Sequence, residues 1–134
     1  MLDASLTIAA LLQERHTGAA QQVMREVSQS GAVVPSLWRL EVANVLRVSV
    51  LRGRCDEAFV DRSLERLTAL PIVIDADTDR CAWNATLVLA RECDLTLYDA
   101  AYLELALRLG APLGTIDDEL IAAAKTKNIR TLVL

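Results

Sequence analysis

The chain has 134 residues, enough for one domain with a real core, and 53% of them are hydrophobic, with a mean hydropathy of +0.30. No apolar run is long enough to span a membrane and no basic stretch leads into an apolar segment with a cleavage site, so a cytoplasmic protein is expected, and the apolar surplus points to a protein interface. The net charge of −4 argues against a general nucleic-acid coat, and three cysteines without a CxxC pair beside a single histidine, His16, argue against a Cys/His zinc site.

Met1 and Leu2 form a strand stub that leads directly into Asp3. Ser5 is placed to cap a helix through Leu6, Ile8, Leu11 and Leu12, which His16-Thr17-Gly18 breaks. A second helix runs from about Ala19 to Ser28 and stops at Gly31. Ala32 to Val34 reads as a short buried strand ended by Pro35. Ser36 then caps a third helix, Leu37 to about Leu51, which ends at Gly53 in the corner Arg52-Gly53-Arg54. These two arginines read as a solvated helix end ahead of a phosphate grip. Asp56 caps a fourth helix that stops before Pro71, and Ile72 to Ile74 is the next strand.

Asp75, Asp77 and Asp79 have the spacing of the first calcium-loop ligands, but Arg80 and Thr86 stand where glycine and glutamate are required, so they are read as complementing the dipole of a fifth helix that runs to about Cys93. A helix from Thr96 to Gly110, a strand Pro112 to Ile116, a helix Asp118 to Lys127 and a last strand Arg130 to Leu134 complete the chain. Strands alternate with helices without repeat, low-complexity tract or linker. The expectation is a single α/β domain, residues 1–134, with a mostly parallel sheet.

Four carboxylates stand out against this frame. Helical phase sets Asp99 on the face of Tyr102, Leu103 and Ala106, with Glu104 and Arg108 on the opposite face. In the third helix, Leu37, Val45 and Val48 fall within about 40° of Glu41 at 100° per residue, with Asn44 beside it. Asp3 and Asp117 each follow a strand directly, at the sheet edge where α/β proteins bind ligands. Glu41 and Asp99 enter their helices from that same edge. Carboxylates that converge cannot all remain ionised without a cation among them, and hard oxygen donors select Mg²⁺ or Mn²⁺.

Each residue also has a bland reading. Thr96-Leu97-Tyr98-Asp99 fits a capping box. So does Thr115-Ile116-Asp117-Asp118, in which Asp118 is the structural acid and Asp117 is left free. Asp3 alone fits a turn, and Glu41 alone fits an exposed helix face. It is the coincidence of all four that points to a site.

The chain resembles the PIN-domain ribonucleases, and within them the VapC-type toxins of bacterial and archaeal toxin–antitoxin pairs. The resemblance covers the whole chain. It rests on Leu2-Asp3-Ala4-Ser5, on Pro35-Ser36-Leu37-Trp38-Arg39-Leu40-Glu41-Val42-Ala43-Asn44, on Tyr98-Asp99-Ala100-Ala101-Tyr102-Leu103 and on Leu113-Gly114-Thr115-Ile116-Asp117. It implies a three-layer α/β domain whose mostly parallel, five-stranded central sheet is flanked by helices. Asp3, Glu41, Asp99 and Asp117 match the family's acidic quartet, which is catalytic and metal-binding, and Thr115 matches a hydroxyl residue beside the last acid. The resemblance further implies one or two Mg²⁺ or Mn²⁺ ions, an RNA substrate, a homodimer, and a cognate antitoxin that wraps the apolar surface and blocks the acidic pocket. One departure is that family members carry a fuller first strand before the first acid.

The expected reaction is hydrolysis of an RNA phosphodiester that leaves 5′-phosphate and 3′-hydroxyl ends. No histidine is required for it. Two other readings stand beside it: a catalytically silent PIN-like binding module, and a phosphohydrolase of another α/β family. The second requires an aspartate two residues after the nucleophile, where Asp3 is followed by Ala4 and Ser5.

Overall fold

The regular sheet pairs β1 (Ala32–Val34) with β2 (Ile72–Ile74) in parallel, Ala32 opposite Ile72 and Val34 opposite Ile74, in a computed structural model that describes residues 1–12 and 17–132. His16 and the end of the last expected strand lie outside the described residues. Gly31 makes the entry to β1 possible. Its φ is +78°, and a Cβ there would stand 2.9 Å from the Pro71 carbonyl oxygen.

The other three expected strands, the Met1-Leu2 stub, Pro112 to Ile116 and the described part of the last one, form single bridges. Leu2 bridges Gly114 in parallel, with Asp3 N–H donating to the Gly114 carbonyl (3.0 Å) and Gly114 N–H to that of Met1 (2.9 Å). Leu113 in turn bridges Thr131. Single bridges in place of ladders leave the α/β three-layer class intact and concentrate the chain in its helices.

The helices are α1 (Ala4–Leu11), α2 (Thr17–Ser30), α3 (Trp38–Leu51), α4 (Glu57–Thr68), α5 (Thr78–Ala82), α6 (Ala85–Cys93), α7 (Leu97–Leu109) and α8 (Asp118–Thr126). α1 packs on α2 and α3, and α7 on α5, α6 and α8. Leu2, Leu6, Leu46, Leu103, Leu113 and Leu120 are fully buried between these elements. Asp56 caps α4 and Thr96 caps α7 as the sequence suggests, and Gly110 ends α7 in the left-handed region.

Several local expectations are corrected. Asp3, not Ser5, caps α1. Ser36 does not cap α3; its backbone N–H donates to Thr78 Oγ1 (3.1 Å), and Leu37 precedes the helix with no side-chain cap. The expected fifth helix is broken at Trp83–Asn84 into α5 and α6, with Asn84 at φ −118°, ψ −105°. The Asp75 group is not simply a dipole complement. Arg108 grips Asp75 with two bonds (3.0 and 2.7 Å) and Glu104 with two more (2.8 and 3.1 Å). Helix α7 is buried on nearly every side from Ala100 to Ala106, so the face opposite Asp99 is interior as well, and Glu104 needs Arg108 there.

Candidate active site

Asp3, Glu41, Asp99 and Asp117 line one cleft of about 310 Å³, with Ser5, Val45 and Tyr102 among the residues between them. Each arrives from a separate segment. The Leu2–Gly114 bridge sets Asp3 at the head of α1, where it is 3% exposed. Its Oδ1 accepts the Leu6 N–H (2.9 Å). The Ser5 hydroxyl lies 2.9 and 2.8 Å from the two carboxylate oxygens, and Thr115 Oγ1 donates to Oδ2 at 2.5 Å. Trp38 Nε1 donates to Thr7 Oγ1 (3.2 Å), which donates to the Asp3 carbonyl (2.8 Å), so the start of α3 is tied to the same corner.

Glu41 lies in the first turn of α3, half-buried at the edge of the packed face rather than at its centre. That face is Trp38, Val42, Leu46 and Ser49, while Leu40 is 76% exposed. What draws Glu41 inward is Tyr102 of α7, whose Oη donates to Glu41 Oε1 at 2.5 Å. Asp99 is the third residue of α7. Its N–H donates to Thr96 Oγ1 (3.1 Å), one half of the expected capping box, while the residue lines the cleft. Capping and site geometry are therefore compatible readings of the same residue.

Asp117 corrects the sequence reading. It is itself the N-cap of α8, accepting the Leu120 N–H at Oδ1 (2.9 Å), and Asp118 is the exposed first helical residue. Thr115 does not cap because its hydroxyl is fully buried and spent elsewhere. It donates to Asp3 and accepts the Asp117 N–H (3.0 Å), linking two acids through one side chain.

The electrostatics follow from burial without a cation. Desolvation pushes the Asp3 carboxyl up to about 6; bonds from Thr115, the Leu6 N–H and Ser5 pull it down, and the charge of Asp117 raises it again. Burial also raises Glu41, with the Tyr102 bond opposing and Asp99 adding to the rise. Burial raises Asp99, reinforced by Asp117 and Glu119 and opposed by Thr96. Among the described residues, no lysine, arginine or histidine lines the cleft.

Sequence reasoning missed Glu119. One oxygen each from Asp99, Asp117 and Glu119 lie within 4.8 Å of one another, a span that one divalent cation can bridge. Asp3 and Glu41 line the same cleft outside that tight group. The acidic run Asp117-Asp118-Glu119 was the available signal. An all-carboxylate donor set of this kind suits a hard divalent cation.

A family model described as PIN domain matches residues 1–126. The chain is 32% identical over 124 residues to Ribonuclease VapC1 of Mycobacterium tuberculosis strains CDC 1551 / Oshkosh and ATCC 25618 / H37Rv, a match that covers 92% of this chain and 89% of each relative. Among solved structures, the crystal structure of PAE2754 from Pyrobaculum aerophilum is similar with a TM-score of 0.67 at 28% identity, over 98% of this chain and 81% of that one.

Proposed function

This chain belongs to the PIN-domain family, and from that premise we propose that it is a metal-dependent endoribonuclease, the toxin of a type II toxin–antitoxin pair. The observation that carries the reading is the meeting of Asp3, Glu41, Asp99 and Asp117, from four segments, in one cleft that no basic side chain lines among the described residues. Those four residues would hold Mg²⁺ or Mn²⁺, with Glu119 beside Asp99 and Asp117. When bound, such a cation supplies Lewis acidity and an ionised water near neutral pH.

The chain's own residues do the rest. Asp117 and Asp3 are anchored as helix caps, so their carboxylates need little reorganisation. Thr115 and Ser5 fix Asp3, and Tyr102 fixes Glu41. In the reaction, a water oxygen bonds to phosphorus as the 3′ oxygen leaves and takes up a proton. The new ends are a 5′-phosphate and a 3′-hydroxyl.

The partners in this reading are RNA, a second copy of the chain and a cognate antitoxin protein, in the cytoplasm. No helix among the described residues is long and apolar enough to cross a membrane. Exposed Trp83, Leu107 and Leu109 support an apolar interface, and a groove of about 250 Å³ lined by Trp38, Val42, Leu64, Leu67 and Ile72 offers the antitoxin an apolar seat. An antitoxin arginine would satisfy the carboxylates in place of the cation. The deciding experiment incubates purified protein with structured and single-stranded RNA in Mn²⁺, Mg²⁺ or EDTA and maps the new ends. Cleavage in EDTA, or cyclic-phosphate ends, would overturn the metal-hydrolysis reading.

A further inference from the structure

Glu41 and Tyr102 come from different helices, yet their side chains make one of the shortest contacts in the cleft. Tyr102 is 1% exposed, while its partner is only half-buried beside exposed Leu40. The ring lies three residues after Asp99, so helical phase sets it about 60° around α7 from that acid. One helix therefore presents a site carboxylate and the donor that holds another.

The bond has a defined direction. A tyrosine hydroxyl has one proton to donate, and here it goes to Glu41 Oε1 at 2.5 Å. Glu41 Oε2 accepts no hydrogen bond among the described residues. Asp117 has the same division, with Oδ1 held by the Leu120 N–H. Each of these acids thus has one oxygen fixed by the protein and a second left for the cleft. The simpler account is that Glu41 is present only to satisfy a buried hydroxyl. That account gives no reason for a charged acceptor at the cleft wall, since a neutral one would satisfy the hydroxyl at lower desolvation cost.

We propose that Tyr102 is a positioning residue, which pins Glu41 Oε1 and so aims Oε2 at the cation site. This rests on the metal-nuclease reading above. Without the bond, Glu41 sits on a largely open helix edge and is free to change rotamer toward solvent.

The test is Tyr102→Phe, which keeps the buried ring, measured by calorimetric titration of metal-free protein with Mn²⁺ and by RNA cleavage as a function of Mn²⁺ concentration. Loss of an outer-sphere donor weakens metal affinity by about tenfold. The expected result is a Mn²⁺ dissociation constant and a half-saturating Mn²⁺ raised together by about that factor, with cleavage at saturating Mn²⁺ largely recovered. Glu41→Gln should weaken Mn²⁺ binding by itself, and in that background Tyr102→Phe should add nothing. Unchanged Mn²⁺ affinity in Tyr102→Phe would overturn the proposal, as would an equal further loss on top of Glu41→Gln, which would mark a merely structural role. If Glu41→Gln itself leaves Mn²⁺ binding intact, the metal-site reading fails instead, and the two failures are separable.

Discussion

Two clusters of acids among the described residues are resolved in opposite ways. Behind α7, Asp75 and Glu104 share Arg108 through four hydrogen bonds of 2.7–3.1 Å. In the cleft, Asp3 and Glu41 have hydroxyl or amide donors, and among the described residues no cationic side chain meets them or Asp99. The consequence appears in proton affinity. Arg108 holds Asp75 below the usual carboxylate range, whereas burial pushes Asp3, Glu41 and Asp99 above it. The first cluster is a finished structural element. The second has no such partner among the described residues, and in the proposed function a bound cation would supply it.

The largest effect expected is on activity. Asp99→Asn keeps the size of the side chain and removes one ligand charge, so RNA cleavage should fall by more than about 100-fold, beyond the loss typical of an outer-sphere change. Thermal stability of the metal-free protein should not fall, because a repulsive charge is gone. A variant that unfolds, or that cleaves normally, would erase the contrast between the clusters.

The mirror experiment is Arg108→Leu. It strands Asp75 and Glu104 in a mostly buried site, and the cost should be about 3 kcal/mol by denaturant unfolding, the lower end for a broken buried pair because Arg108 keeps some solvent contact. Cleavage per folded molecule should be retained. A loss of activity without loss of stability would show that the two clusters are coupled.

The pH dependence should separate them as well. The Asp3 carboxyl stands near 6 in the folded chain against an ordinary value of 3.8. The folded state therefore binds the proton more tightly than the unfolded state. The destabilisation is fully present above pH 6 and is relieved as pH falls from 6 toward 4, by about 2 kcal/mol. Asp75 has the reverse sign, and its contribution is lost only below pH 4. Metal-free protein in EDTA should accordingly melt higher at pH 5 than at pH 7, Mn²⁺ at pH 7 should restore the difference, and Asp3→Asn should reduce it to what Glu41 and Asp99 contribute. A wild-type melting curve that is flat across this window would remove the electrostatic distinction.

The smallest effects lie at the head of α8. Asp117→Ala should cost about 1 kcal/mol through the lost cap as well as activity, while Asp117→Asn should lose activity alone. Asp118→Asn, on the exposed neighbour, should change neither in the same melting and cleavage assays.

Much of this was legible in the sequence because it is written in local pattern. Alternation of helix and strand, the stops at Gly31, Gly53 and Gly110, and the sharing of one edge by the four cleft acids follow from spacing and phase, although the cap at Asp117 and the exact face of Glu41 do not. What was misread depends on contacts distant in the chain. Ser5 and Thr115 look like caps until their hydroxyls are seen to be engaged with Asp3. Glu104 and Arg108 look outward until α5 is packed on α7 and Asp75 is bonded to Arg108. The strand at Leu113 looks longer than it is, because an apolar run does not reveal how many of its residues find a hydrogen-bonded neighbour.

The two aspartates that serve as helix caps carry a consequence for inheritance. Asparagine caps a helix about as well as aspartate, and the codons of the two differ by one base. If Asp3 and Asp117 act as proposed, a one-base step at either to an inactive protein is thus also one that leaves the fold standing. Lineages that silence the cleft in this way would keep a folded protein, with its surfaces intact and open to later selection for binding alone.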